Sequence, residues 1–318
     1  MEDTKNIPEN WSLHEACKNG QVEIVRELLK KGANPNLENE NGITPLWMSE
    51  NNEVIQLLLS YGANPNIANY KGFTLLTWAA MHMNIQKMTQ LLKFGADPNA
   101  TLTIRKHTAL QFVILNYYRK DQDVVLEGIK ILTEFGAKID FQNLYGESAL
   151  FIAVRGCYKG NGISTPDIVH KLLQLGANPN FVTSNGSIAL HLAASKCIIP
   201  VMRLLLNHGA DPNALDNSRK YSALHKAFRS LKQDVLVHSR IEAFEMLVQY
   251  GANINCQDDN GMTVLHKAVE LNAYNDAKIL MNLGSDPNIR DKYGRSALEM
   301  ALIRRCAVLI KLCALNIS

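Results

Sequence analysis

The sequence predicts an all-α solenoid of about nine stacked helix–turn–helix units. A phrase reading Gly-Ala-Asn-Pro-Asn, or a close variant, recurs along the chain with a commonest period of 33 residues. Its copies begin at Gly32, Gly62, Gly95, Gly136, Gly176, Gly209, Gly251 and Gly284. Before each copy, apolar residues recur at intervals of three and four, as in residues 22–29. This spacing indicates a helix with one buried face.

The elements of each unit follow in a fixed order. A hydroxyl residue precedes a short first helix and is expected to cap it, because its side-chain oxygen can accept a bond from an unpaired backbone N–H. These caps are predicted at Thr44, Thr108, Ser148, Ser222 and Ser296. Pro45 suits a first helical turn, and Pro200 suits the start of a second, antiparallel helix. The glycine of the repeated phrase ends that second helix, since glycine tolerates positive φ.

Length and composition fit a single domain over residues 1–318, with a first unit at 11–31 and a last unit at 291–318. A chain of 318 residues would ordinarily suggest two domains, but the repeat fills almost all of it. Hydrophobic residues make up 47% and charged residues 20%, which excludes a disordered chain. The net charge of +3 is too small to indicate nucleic acid, and no apolar run is long enough for membrane insertion. A polar N-terminus without a signal peptide predicts a cytoplasmic protein.

The combination of Leu-His-x-Ala with Gly-Ala-Asp-x-Asn at this period resembles the ankyrin repeat, and the match covers roughly residues 11–318. The resemblance implies a curved solenoid in which hairpin fingers project from each repeat boundary. It also implies that the fingers and the first helices line a concave face that binds other proteins. For four histidines it implies hydrogen bonds between repeats rather than catalysis, and no cofactor is expected. These are His14, His191, His225 and His266.

The residues expected to contact a partner depart from the consensus on the fingers and at the exposed ends of first helices. They are Tyr70, Lys71, Phe73, Met81, His82, Arg105, Lys106, His107, Tyr145, Arg155, Lys196, Arg219, Lys220, Tyr221 and Arg229. Tyrosine and arginine are enriched at binding hot spots. The mixture of aromatic and positive residues favours a partner protein with an acidic or mixed-charge surface. The other interpretation is that these are ordinary solvated side chains.

Three insertions between paired helices support an alternative function, and they lie at residues 116–122, 156–165 and 229–239. They are either tolerated loop growth, which costs little free energy, or the place where an enzyme or enzyme-recruiting protein carries its chemistry. Cys157 is the best candidate for an exposed reactive thiol, but no His–Asn pair can be assigned to it. No short Cys or His pair has zinc-ligand spacing. The sequence therefore favours a binding module that is not an enzyme.

The asparagine that ends the repeated phrase is expected to bond backbone groups in its own turn. In the ankyrin family this asparagine can be hydroxylated by a cytosolic asparaginyl hydroxylase. Asn213, with Leu205 eight residues before it, is the candidate in this chain.

The C-terminal segment 307–317 is apolar nearly all round, so a helix there expects cover on both sides. One prediction is self-association through Leu309, Leu312 and Leu315. Many Asn, Lys and Ile residues suggest an AT-rich genome. Such a composition resembles that of effectors of intracellular bacteria or host-range proteins of large DNA viruses, which would act in the host cytosol or nucleus.

Overall fold

The computed structural model describes residues 12–101, 105–116, 122–157, 166–229, 237–304 and 310–311. This part of the chain contains seventeen α-helices and no strand. The first helices of the units are α1 (Leu13–Lys18), α3 (Pro45–Met48), α5 (Leu75–Met81), α7 (Ala109–Leu115), α9 (Ala149–Gly156), α11 (Ala189–Ser195), α13 (Ala223–Arg229), α15 (Val264–Glu270) and α17 (Ala297–Ile303). The second helices are α2 (Val22–Lys30), α4 (Asn52–Ser60), α6 (Ile85–Lys93), α8 (Gln122–Glu134), α10 (Pro166–Gln174), α12 (Ile199–Asn207), α14 (Val237–Gln249) and α16 (Tyr274–Asn282).

The helices form two layers in each of two compact units, Met1–Leu144 and Tyr145–Ser318. First helices contact first helices of the next repeat, as α5 contacts α7 and α11 contacts α13. Second helices contact second helices in the same way, as α6 contacts α8 and α10 contacts α12. The predicted all-α ankyrin-type architecture is therefore confirmed. The single continuous domain over residues 1–318 stays a prediction.

Hydroxyl caps begin most of the first helices, as predicted. The side chains of Thr108, Ser148 and Ser296 each accept a hydrogen bond from the backbone N–H three residues later. Thr44 is an exception, because its side chain makes no cap bond although Pro45 occupies the first helical turn. Gly62 shows why glycine follows the second helix. Its φ is 87°, and no atom lies within 4 Å of the point that a Cβ would occupy, so backbone conformation and not space requires glycine.

The repeat histidines connect each ankyrin-type repeat to the next repeat by hydrogen bonds, which confirms their structural role. The Nε2 atoms of His14, His191 and His225 donate to the carbonyl oxygens of Ile43, Ala214 and Met262 at 2.9, 2.9 and 3.1 Å. Burial lowers the pKa of His225 to about 4, so this ring is neutral at pH 7. A neutral ring has the single N–H that this bond needs.

Two other residue types occupy the histidine position and make the same bond. Gln111 donates from Nε2 to the carbonyl of Phe141 at 2.8 Å. Trp47 donates from Nε1 to the carbonyl of Ile67 at 3.1 Å. The position therefore requires a side-chain N–H directed at the next repeat, and histidine is one of several residues that supply it.

The asparagine of the repeated phrase also bridges repeats, which corrects the expectation of a bond confined to its own turn. Asn66 donates from Nδ2 to the carbonyl of Gly95 at 3.0 Å and accepts from the N–H of Asp97 at 2.7 Å. Asn213 makes the same pair of bonds with Gly251 and Asn253, at 2.9 and 2.7 Å. The local turn is instead held by the third residue of the phrase, since Asn64 Oδ1 accepts from the N–H of Asn66.

Candidate protein-binding face

The fingers are held in a fixed conformation by one side chain at their base. In the unit Met1–Leu144, Asn69 Oδ1 accepts hydrogen bonds from the N–H groups of Lys71 and Phe73 at 3.0 and 3.1 Å. In the unit Tyr145–Ser318, Asp216 Oδ1 accepts from the N–H groups of Arg219 and Tyr221 at 3.2 and 3.0 Å. Side chains at the finger tips are therefore presented on a preformed backbone.

Adjacent fingers are joined by backbone hydrogen bonds. The N–H of Ser184 donates to the carbonyl of Tyr145 at 3.0 Å, and the N–H of Asn217 donates to the carbonyl of Asn185 at 3.0 Å. A Cβ at Gly186 would lie 2.7 Å from the backbone nitrogen of Asn217, so the close approach of the two fingers requires glycine there. The fingers act as a supported row and not as separate loops.

An aromatic patch covers the first helices and one finger of the unit Met1–Leu144. It consists of Trp47, Phe73, Trp78, His82 and Phe112. The rings of Trp47 and Trp78 meet edge to face at 6.1 Å, and those of Phe73 and Trp78 at 5.8 Å. His82 lies 4.3 Å from the Trp78 ring, and Phe112 lies 6.1 Å from Phe73. These separations are favourable for aromatic pairs.

The aromatic patch includes two tryptophans that are absent from the predicted contact residues. Trp78 is 37% exposed even though it touches three other rings. It directly follows the histidine position of its helix, where neighbouring repeats carry a variety of residues. A large aromatic side chain at that variable position was the signal in the sequence that could have identified it.

A cationic patch occupies the corresponding place in the unit Tyr145–Ser318, and it consists of Tyr221, Lys226, Arg229 and Lys267. Lys226, Arg229 and Lys267 place their charged groups 5.5, 5.5 and 5.2 Å from the centre of the Tyr221 ring. These distances are within the range of cation–π attraction. The ring also stacks on His225 at 5.4 Å.

Two buried aspartates hold the lysines of the cationic patch. Asp216 forms an ion pair with Lys226, and Asp258 forms one with Lys267 at 2.6 Å. Burial alone would raise the pKa of Asp216, but hydrogen bonds from Lys226, Ser218 and backbone N–H groups hold it well below its usual value. The same balance lowers the pKa of Asp258, with Lys267 as its cationic partner. Both carboxylates are therefore charged at neutral pH.

The structure places the predicted contact residues in three environments. Nine are exposed: Tyr70, Lys71, His82, Arg105, Lys106, Tyr145, Arg219, Lys220 and Arg229. Four are half-buried: Phe73, Met81, Arg155 and Lys196. Arg155 forms an ion pair with Glu147, and Phe73 belongs to the aromatic patch.

The remaining two, His107 and Tyr221, are buried, which corrects the expectation that they are exposed finger residues. Tyr221 is only 4% exposed. Both directly precede the cap of a first helix, Thr108 or Ser222, and so lie at the base of a finger and not at its tip. His107 accepts a hydrogen bond from Asn143 Nδ2 at 3.3 Å. These two residues support the face from beneath.

Cys157 is also buried, which corrects its assignment as an exposed thiol. It caps the C-terminal end of α9, and its Sγ donates to the carbonyl of Ala153 at 3.4 Å. Burial raises its pKa to about 11, so the thiolate that nucleophilic chemistry needs is disfavoured. Most of the inserted segments 116–122, 156–165 and 229–239, and most of segment 307–317 with Leu309, Leu312 and Leu315, lie outside the described residues.

The described ranges contain neither a membrane-spanning helix nor a metal-binding cluster. None of the helices there combines the length and hydrophobicity that a bilayer-spanning segment needs. No group of three or more His, Cys, Asp or Glu side chains in those ranges is arranged to hold a metal ion.

Two family models match the chain. One, described as three copies of ankyrin repeats, matches residues 13–102 and 160–238, and the other, described as many copies, matches residues 247–301. The first alone covers more than half of the chain. The chain belongs to the ankyrin repeat family. Ankyrin repeats are modules of protein–protein interaction.

Individual relatives agree with this assignment. Human SH3 and multiple ankyrin repeat domains protein 2 is 26% identical over 222 residues, which are 70% of this chain and 11% of that protein. An ankyrin repeat protein of Acanthamoeba polyphaga mimivirus is 30% identical over 159 residues, which are 45% of this chain and 27% of that protein. The chain thus spans only about a tenth to a quarter of the length of these curated relatives.

A solved structure is similar over most of the chain. The ankyrin repeat domain of Bcl-3, a member of the IkappaB protein family, superimposes with a TM-score of 0.61 at 25% identity. The match covers 74% of this chain and 99% of the Bcl-3 chain.

Proposed function

We propose that this ankyrin protein binds a partner protein through its fingers and first helices and acts as an adaptor, scaffold or competitive inhibitor. The observation that carries the proposal is the aromatic patch, in which Trp78 is partly exposed on a helix whose other residues are buried except for half-buried Met81. Tryptophan, tyrosine and arginine are the residue types enriched at interface hot spots, and Trp78, Tyr70 and Arg105 are all exposed in this unit. Because the fingers are already held by hydrogen bonds, binding orders few groups and loses little conformational entropy.

The partner is expected to present an acidic or mixed-charge surface together with apolar side chains. The exposed cations Lys71, Arg105, Lys106, Arg219 and Arg229 favour the first feature, and the aromatic patch favours the second. The relatives include a protein named for multiple ankyrin repeats and an IkappaB-family member, and these support a role in binding.

Two finer points belong to the same proposal. The match to a mimivirus protein supports the idea of an effector or host-range protein that acts in the cytosol or nucleus of a host cell. One continuous binding domain over residues 1–318 is the simplest organisation for such a protein. An enzyme or enzyme-recruiting role through segments 116–122, 156–165 and 229–239 is the second candidate, and the burial of Cys157 counts against it.

The test is affinity capture from cell lysate with the wild type and a triple variant, Tyr70→Ala, Trp78→Ala and Arg105→Ala. Trp78 is used because Tyr221→Ala would open a cavity beneath the face and confuse binding with stability. The matched control is Phe94→Ala, Phe135→Ala and Lys130→Ala. It also removes two aromatic residues and one cation, and Phe94 and Phe135 are 40% and 39% exposed at the ends of second helices.

We expect partners captured by the wild type and by the control to be lost from the Tyr70, Trp78 and Arg105 variant. Loss in the control but not in this variant would place binding on the second helices and would refute the proposed face. Equal melting temperatures of the three proteins would establish that any difference is in binding.

Asn213 stays the candidate for hydroxylation. Its side chain is exposed, but both polar atoms of its carboxamide are engaged by Gly251 and Asn253. We expect an asparaginyl hydroxylase to add one oxygen at Asn213, detected as a mass increase that Asn213→Ala abolishes. An unchanged intact mass after incubation would refute it.

A further inference from the structure

Three successive first helices, α9, α11 and α13, enclose a groove in the unit Tyr145–Ser318. Its volume is about 390 Å³, which is large enough for two or three side chains of a ligand. Phe151 of α9 and Leu192 of α11 supply apolar surface, and Lys226 and Arg229 of α13 supply positive charge. Phe151 stands at the histidine position of its repeat, so an aromatic ring replaces the usual hydrogen-bonding side chain.

The groove carries positive charge that nothing in its lining neutralises. Its described lining includes no carboxylate. Lys226 is held in place by buried Asp216, which largely compensates its charge. Arg229 is exposed, its guanidinium lies 5.5 Å from the Tyr221 ring, and no ion pair among the described residues includes it. Arg229 is therefore the cation of the lining that has no ion pair among the described residues, although it also lines a neighbouring cavity together with Glu270.

The remaining polar groups of the lining are neutral. Burial lowers the pKa of His191, and its Nε2 already donates to the carbonyl of Ala214. Ser195 donates its hydroxyl hydrogen to the carbonyl of Leu192 at 2.8 Å. Its oxygen keeps a lone pair that can accept a hydrogen bond from a ligand backbone N–H. The groove thus combines a cation, apolar walls and a hydrogen-bond acceptor.

We infer that this groove binds an acidic side chain next to an apolar one in an extended segment of the partner protein. The guanidinium of Arg229 would pair with the carboxylate in the bidentate manner that arginine favours. Phe151 and Leu192 would cover the neighbouring apolar side chain. A nucleic-acid backbone is disfavoured because it would need a row of uncompensated cations. This inference rests on the proposed function and specifies the chemistry of the ligand.

The experiment selects peptides from a phage-displayed library of random 12-residue sequences against the immobilised full chain. Selected peptides are then synthesised, and their Kd values are measured by fluorescence polarisation for the wild type, Arg229→Glu and Phe151→Ala. The matched control is Arg203→Glu, which reverses an exposed arginine on α12. A further arm replaces the acidic residue of the peptide with phosphoserine.

We expect the selected peptides to carry Asp or Glu beside an apolar residue. Arg229→Glu should weaken their binding at least about tenfold, and Phe151→Ala about threefold or more, while Arg203→Glu changes the Kd less than twofold. Raising the salt concentration should weaken binding to the wild type. It should not weaken binding to Arg229→Glu, because like charges then face each other and salt screens their repulsion.

Other results would overturn the inference and can be told apart from failure of the proposed function. Peptides without an acidic preference, or peptides unaffected by Arg229→Glu, would refute the groove and leave the binding function standing. Failure to select any peptide would refute an extended ligand, whereas a wild type that captures no partner from lysate would be needed to refute the function. If only the phosphoserine peptide bound, the ligand of the groove would be a phosphorylated segment and not one with an Asp or Glu side chain.

Discussion

In two repeats of the unit Met1–Leu144, the helix position that follows the histidine position carries Trp78 and Phe112, whereas in two repeats of the unit Tyr145–Ser318 it carries Lys226 and Lys267. The residue at the base of the finger changes with it. A neutral asparagine, Asn69, closes the finger before Trp78, and a buried aspartate closes the fingers before the two lysines. The same backbone is thus built once with aromatic chemistry and once with paired charges.

The comparison teaches that finger base and helix position form a coupled pair. Asparagine and aspartate both offer an oxygen that accepts two backbone N–H groups, so either can close the finger. Only aspartate brings a charge, and a buried carboxylate requires a cation nearby. A lysine on the first helix supplies it for Asp216 and Asp258, whereas Arg295 of the finger itself supplies it for Asp291. In the repeats of Asp216 and Asp258, changing the surface from aromatic to cationic therefore takes two compensating substitutions.

The largest effect is expected from breaking one of these pairs. Lys226→Met removes the cation of Asp216, whose side chain is only 1% exposed, and should lower the free energy of unfolding by about 2–3 kcal/mol. The double variant Asp216→Asn with Lys226→Met recreates the arrangement of Asn69 and should recover most of that loss. Urea unfolding followed by circular dichroism measures both values.

A matched control is Trp78→Met, which changes the same helix position where no charge is at stake. Trp78→Met should lower the free energy of unfolding by the packing that the partly exposed ring provides, plus about 1 kcal/mol or less. If the double variant were as unstable as Lys226→Met alone, the proposed coupling between the finger base and the helix position would be refuted. The ion pair would then be incidental to the stability of the finger.

Much of the scaffold could be predicted from the sequence, because most of its caps and helix ends depend on residues close together in the chain. The caps at Thr108 and Ser148 and the helix ends at the repeated glycines depend on contacts within a few residues, so periodicity and residue type predict them. The resemblance also implied the bonds of His14 and His191 between repeats. The bridging bonds of Asn66 were missed because the partner groups of Gly95 and Asp97 lie about 30 residues away.

The candidate site was harder to predict. Tyr70 and Arg105 lie on exposed fingers as expected, but Tyr221 is buried because the residue just before a helix cap folds beneath its finger. The finger that contains it has one residue more than the finger of Asn69, and Lys220 takes a φ of 56° there. The sequence signal for Trp78 is a large aromatic residue directly after the histidine position, but how far the ring is exposed depends on neighbouring repeats.

The second prediction compares the acid unfolding of the units Met1–Leu144 and Tyr145–Ser318. His191, His225 and His266 lie in Tyr145–Ser318, and burial lowers the pKa of each, to about 4 for His225. A base whose pKa is lower in the folded state contributes stability above its unfolded pKa of about 6.5, and this is lost as pH falls towards the folded pKa. In Met1–Leu144 two repeats carry Gln111 and Trp47 at the same position, which do not titrate in this range, and one repeat carries the half-buried His14. The unit Tyr145–Ser318 should therefore unfold first.

The three tryptophans of the chain all precede residue 144, so their fluorescence reports on Met1–Leu144 alone, while circular dichroism reports on all helices. Between about pH 6.5 and 4 the helical signal should fall before the tryptophan emission changes.

His225→Gln keeps an N–H for Met262, as Gln111 does for Phe141, and should move the first transition to lower pH. Replacing the exposed His208 by Gln should leave it in place. Coincident transitions would mean that buried histidines do not distinguish the units. Protonation below about pH 4 of Asp216 and Asp258, whose folded pKa values are lowered, then removes further stability from the same unit.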